Sequence, residues 1–235
     1  MTNVKRGLVW INTSILKGFA QVSVLLIKDL RENMMSLLTK FTDFTASAGQ
    51  HLAFIPLFLL RLYLAPIMIQ AGWNKLSNFE STVTWFGNPD WGLGLPFPDI
   101  MTALAAGTEF FGGVLILLGL ATRLVAVPLA VTMVVAMLTV HAKNGWLAIA
   151  DSSSWLADGT LYLDERVVAA EEKISAAYSV LDQHGHMEWL TSSGKFVVLN
   201  NGIEFAATYL IMFMVLFCYG GGRYLSVDYY LARQR

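Results

Sequence analysis

The chain has 235 residues, 55% of them hydrophobic and 14% charged, with a formal net charge of −1 and a mean hydropathy of +0.54. Soluble domains carry about 25% charged residues, so the composition argues against an ordinary soluble enzyme or a disordered chain and points to lipid as the bulk solvent. A single cysteine, Cys218, excludes an internal disulfide framework, a dithiol couple and a cysteine-rich metal cluster, and 16 basic against 17 acidic residues give no reason to expect nucleic acid as a partner.

Residues 1–50 read as one unit and 51–235 as a membrane domain. In the first, Leu8, Ile11, Ile15, Phe19, Val22, Leu26, Leu30, Met34, Leu37, Phe41 and Phe44 follow a three/four spacing that predicts one continuous amphipathic helix. Lys17, Lys28, Asp29, Arg31 and Glu32 interrupt the run, so it is neither a span nor a signal peptide. Two readings are open: a helix lying on the cytoplasmic leaflet, or a docking helix, over residues 8–44, for a cytoplasmic maturation enzyme. One helix can serve both.

A spanning helix needs about 20 apolar residues. Four segments, about 52–72, 101–119, 124–141 and 203–220, predict spans, and hence an all-α, integral membrane four-helix bundle. The short Leu118–Arg123 connection makes the middle two an antiparallel hairpin. Between spans one and two, turn formers alternate with Trp91, Leu93, Leu95 and Phe97, which predicts an ordered loop on the bilayer surface or over the bundle mouth. In the long loop before span four, Asp164 predicts an N-cap for a helix from Glu165 to about Gln183, with Gly185 as its stop; the same mouth is its expected place.

Basic residues cluster before span one (Lys5, Arg6, Lys17, Lys28, Arg31, Lys40), in the hairpin (Arg123) and in the tail (Arg223, Arg233, Arg235). The two long loops hold five basic and eleven acidic residues. Both termini are therefore expected in the cytoplasm and the acidic loops in the periplasm, across a bacterial inner membrane.

Charges within spans are functional hypotheses by default. Arg61 and Glu109 fall at similar depths measured from the outer ends of their segments, so they are expected either to pair as a structural staple or to form the polar floor of an outward-facing cavity. Lys75, His141, Asn201 and Glu204 fall at the outer rim of the same bundle and complete the candidate ligand site. Trp73, Trp85, Trp91, Trp146, Trp155 and Trp189 lie on that side, as an aromatic belt or as a stacking wall for a planar headgroup. His184 and His186 offer a weak copper-like ligand pair, against a plain solvated loop. Cys218 reads as packing. Gly220–Asp228 follows an apolar helix rather than a strand, so it is no phosphate loop; it is expected to end the helix and pair Asp228 with Arg123.

Arg61 with Ala71-Gly-Trp-Asn-Lys75, Glu109 with Gly112-Gly113 and Leu118-Gly-Leu-Ala-Thr-Arg123, His141, and Gly222-Arg-Tyr-Leu-Ser-Val-Asp228 together resemble the DoxX family of four-helix membrane proteins, over roughly residues 52–230. The Phe86–Pro98 and Trp189–Thr208 stretches are similar to HvfX-type members, which are associated with making copper-binding modified peptides. The resemblance implies a membrane partner in redox or metal homeostasis, such as a subunit of a quinone-linked oxidoreductase. It does not fix a reaction. Superfamily relatives that exchange disulfides need a cysteine pair, which this chain lacks. The leading expectation is an accessory redox component that takes a quinone. The competing ones are a copper-handling or peptide-export helper acting on a copper-binding peptide, and a structural membrane anchor. Self-association is compatible with each.

Overall fold

The computed structural model describes residues 2–234, with side chains described at position 21 and from position 25 onward. The side chains of Lys5, Arg6 and Lys17, and those of the stripe from Leu8 to Val22, lie outside the described residues. Helices and their connections account for all of the described chain. Two isolated antiparallel bridges, Ile149 with Leu199 and Asp158 with Leu163, occur, and among the described residues there is no strand. The chain divides into two compact units, Met1–Ala53 and Phe54–Arg235.

The first unit is one helix, α1 (Thr2–Leu52), of 51 residues, about 76 Å long at 1.5 Å per residue. Leu26, Leu30, Met34, Leu37, Phe41 and Phe44 are all exposed along it, so nothing within its own unit covers this described part of the stripe.

The second unit contains α2 (Phe54–Ser77), α3 (Phe79–Gly87), α4 (Pro98–Leu118) and α5 (Thr122–Ala136). A π-helical turn (Met137–His141) and a 3₁₀ turn (Ala142–Asn144) prolong α5. Then come α6 (Glu165–His184), α7 (Met187–Leu190), α8 (Glu204–Tyr219) and α9 (Val227–Arg233). Phe54–Ser77, Pro98–Leu118 and Thr122–Asn144 are long and apolar enough to cross a membrane, which makes this a multi-pass membrane protein. The fourth expected span, α8, is apolar but has only 16 residues. That is about 24 Å of rise against a hydrocarbon core of about 30 Å. Gly220, at φ +75°, ends it at one side, and hydrogen bonds from Ile203 N to Gly145 O and from Glu204 N to Trp146 O fix its start.

The α4–α5 turn marks one end of this unit, the hairpin end; the long connections gather at the other, the loop end. Gly72 and Gly113 set the α2–α4 contact. A Cβ on Gly72 would collide with Phe110 N and stand 2.8 Å from Ala106 O, and one on Gly113 would stand 2.9 Å from Ile69 N. Small residues at such crossings let apolar helices approach backbone to backbone. Side chains from α2, α4, α5 and α8 then share one core, including Leu64, Met68, Ile116, Leu129, Met133 and Phe213.

The loop before α8 folds on itself. Asp164 caps α6 by accepting from Arg166 N, as the sequence predicts, and Gly185 follows the helix. Leu147, Ala157 and Val167 form a small separate core.

Candidate functional site

Arg61 and Glu109 do not pair. Arg61 is 1% exposed and sits at the hairpin end. Its Nη1 donates to Gly221 O at 2.7 Å, and its Nη2 to Leu225 O at 2.7 Å and Leu117 O at 3.3 Å. Leu117 is in the last turn of α4, where unpaired carbonyls concentrate negative potential and favour a cation. Depth counted from Gly72 sets the two charges level, but α2 runs on to Ser77 because Gly72 packs against α4 instead of stopping the helix. Arg61 is thus 16 residues, about 24 Å, from the true end.

Asp228 does not pair with Arg123 either. Its Oδ1 accepts from Ala121 N at 2.6 Å and its Oδ2 from Thr122 N at 2.8 Å. The carboxylate therefore caps the start of α5, where Ala121, at φ +51°, has no capping side chain of its own. An N-terminal carboxylate satisfies orphan N–H groups and complements the helix dipole, which is a stronger pull on Asp228 than the exposed Arg123. Ser226 Oγ and Asp228 N both donate to Gly119 O. The Gly221–Asp228 segment is a clasp that joins the ends of α2, α4, α5 and α8.

Glu109 pairs instead with Lys75, at 2.6 Å. The two face a cavity of about 660 Å³ between α3, the following loop, α4 and α5. Trp85 and Phe86 of α3 and Leu93 and Leu95 of the loop cover it from the loop end, and His141 stands at its rim. An Asx turn, with Asn88 Oδ1 accepting from Asp90 N and Trp91 N, shapes that loop. Glu109 is 6% exposed, so its charge depends on the ammonium beside it. Lys75 Nζ spends one donor on Glu109 and lies 3.5 Å from Ala71 O, which leaves a third for the cavity. The sequence did not predict α3; its apolar pattern is short and abuts the end of α2 after Asn78.

His141 ends the π turn, a helix irregularity that often occurs at functional sites. Its Nδ1 lies 3.0 Å from Asn201 O. A carbonyl only accepts, so Nδ1 carries the proton and, in the neutral ring, Nε2 is left as an acceptor. Asn201 holds a left-handed conformation, φ +58°, and its carbonyl also accepts from Asn144 Nδ2.

The structure therefore brings Lys75, Glu109 and His141 to one cavity and does not bring Arg61, Asn201 or Glu204 to its walls. Asn201 reaches it only through His141. Glu204 Oε2 accepts from Ala148 N at 2.9 Å and anchors the loop to α8. Of the six tryptophans, only Trp85 lines the cavity, and the long loop contributes none of its residues beyond position 144. His184 is exposed, with Nδ1 against Val180 O of its own helix, and among the described residues no three His, Cys, Asp or Glu side chains gather as a metal site.

Fold and site define a multi-pass helical membrane protein with a largely apolar cavity, polarised at one wall by a partly buried ion pair. Residues 56–142, from α2 to Ala142, match the DoxX family. Among curated proteins the chain is 37% identical over 93 residues to the protein titled "Putative oxidoreductase CatD" of Bacillus subtilis (strain 168). That alignment covers 40% of this chain and 65% of the relative, so the chain spans just under two thirds of the relative's length. No solved structure matches.

Proposed function

We propose that the chain is a DoxX-type protein of the bacterial inner membrane. In this reading it serves as an accessory redox component whose α3–α4–α5 cavity takes the headgroup of a quinone. One observation carries the reading: a buried Glu109 paired with a half-buried Lys75 in the wall of an otherwise apolar cavity, with His141 at the rim. A planar dicarbonyl ring fits this donor set, because the free donor of Lys75 can meet one ring oxygen while Trp85 and Phe86 offer flat apolar surface. A quinone supplies two-electron redox chemistry that no side chain of this chain provides. The chain's own residues bind and orient the ring, and His141 Nε2 accepts a hydrogen bond or a proton from a ring hydroxyl. The relative's title supports the redox assignment.

In the same reading all four apolar helices cross the bilayer, both termini are cytoplasmic, and α1 lies on the inner leaflet or docks a maturation enzyme. The HvfX-like stretches Phe86–Pro98 and Trp189–Thr208 support a role beside copper-peptide maturation. The test is quinone retention after purification in lipid nanodiscs. Wild type and Arg61→Lys retain it, whereas Glu109→Gln and Lys75→Met lose it while keeping their helical content. Equal quinone content in all four proteins overturns the reading.

A further inference from the structure

We propose that the groove between α4 and α5 is a second binding surface, which holds the hydrocarbon chain of an amphiphile whose polar head occupies the cavity. The proposal rests on the reading of that cavity as a headgroup site and adds what kind of molecule it takes and by which route. The groove, about 470 Å³, is continuous with the cavity: Thr108, Val127 and Pro128 belong to the walls of both. It runs along α4 from Thr108 to Leu115, about 10 Å. Its remaining walls are apolar, with Phe111 and Leu124 exposed to 63% and 75%. Gly107 opens the junction, since a Cβ there would meet nothing within 4 Å.

The cavity itself is open on the same flank. Leu104 and Val131 line it and are 59% and 56% exposed, within segments long and apolar enough to lie in lipid. At the loop end Trp85, Leu93 and Leu95 stand over it. The open path is therefore sideways, through hydrocarbon, and a molecule arriving by it with its head at Lys75 leaves its chain in the groove. A water-soluble ligand has no use for that surface, and an isoprenoid-type chain continuous with the head is the occupant that the shared walls fit.

The experiment compares two ubiquinone probes, one with a single isoprene unit and one with four, binding to the full-length protein in nanodiscs. Gly107→Leu adds bulk where a Cβ meets nothing within 4 Å and replaces glycine by a good helix former, and its melting temperature is checked against wild type. The expected result is about a tenfold or greater loss of affinity for the four-unit quinone, from apolar area left uncovered, with less than a twofold change for the one-unit quinone. Gly107→Ala gives an intermediate loss. Comparing variant with wild type for each probe cancels partitioning into lipid. Equal change for both probes overturns the proposal, as when the groove holds only bulk lipid chains. Failure of both probes to bind wild type overturns the headgroup reading, and the groove proposal with it.

Discussion

A buried arginine and a half-buried lysine divide the labour at residue scale. Arg61 is bound entirely to backbone carbonyls, so its loss strands acceptors in an apolar setting. Arg61→Met is expected to lower stability by about 2–4 kcal/mol, measured by denaturant titration in detergent, with quinone content per folded molecule unchanged. Arg61→Lys recovers only part, because one ammonium cannot replace the planar guanidinium fork that reaches Gly221 and Leu225 together. Lys75 and Glu109 behave differently, since each is the other's compensation. Lys75→Met alone leaves a buried carboxylate and is expected to cost about 3 kcal/mol, whereas Lys75→Met with Glu109→Leu costs less than the sum of the singles. The sequence made Arg61 and Glu109 legible as exceptions in apolar runs, and Lys75 as a charge at their rim. It hid their partners, because pairing depends on helix register, and register moved when α2 continued five residues past Gly72.

At the scale of elements, capping and close approach carry the architecture. Asp228 supplies the α5 cap from a position more than a hundred residues downstream. Asp228→Ala is expected to cost about 1–2 kcal/mol, while Arg123→Ala stays within about 0.5 kcal/mol; equal losses in a thermal melt favour an ion pair instead. Gly72→Ala pushes α2 and α4 apart against Phe110 N and Ala106 O, so a loss of more than about 2 kcal/mol is expected. Helix identity was legible from apolar run length, and α6 from Asp164 and Gly185. Long-range caps were not, because a lone Asp after a glycine run says nothing about which distant N–H groups it meets. The short α3 escapes the sequence for a related reason: the covering of the cavity by Trp85 and Phe86 is tertiary, and nine residues abutting α2 are too short a run to stand out as a separate element.

Topology is decided at the scale of the whole membrane unit. By length alone α8 is too short to match the three longer spans, and three crossings place the chain's termini on opposite faces. Its contacts argue for four. At its start, Glu204 holds Trp146 and Ala148 at the loop end, and the segment after it holds Gly119, Ala121 and Thr122 at the hairpin end. Between these anchors α8 shares the core with α5 through Phe213 and Leu216. On the proposed four-span reading, a helix tied to both ends of a crossing partner covers the same distance, with its flanking residues supplying the rise that 16 helical residues lack. Cys218 is the chain's one cysteine, so Cys218→Ser gives a background in which single cysteines report sidedness. In intact inner-membrane vesicles and spheroplasts, an impermeant maleimide is expected to label Ser179→Cys from the periplasmic face. Ser36→Cys in α1 and Gln234→Cys in the tail are expected to react only from the cytoplasmic face. Labelling of Ser36→Cys and Gln234→Cys from opposite faces leaves α8 as a helix that packs on the crossing set without completing it, and the tail then no longer shares a side with α1.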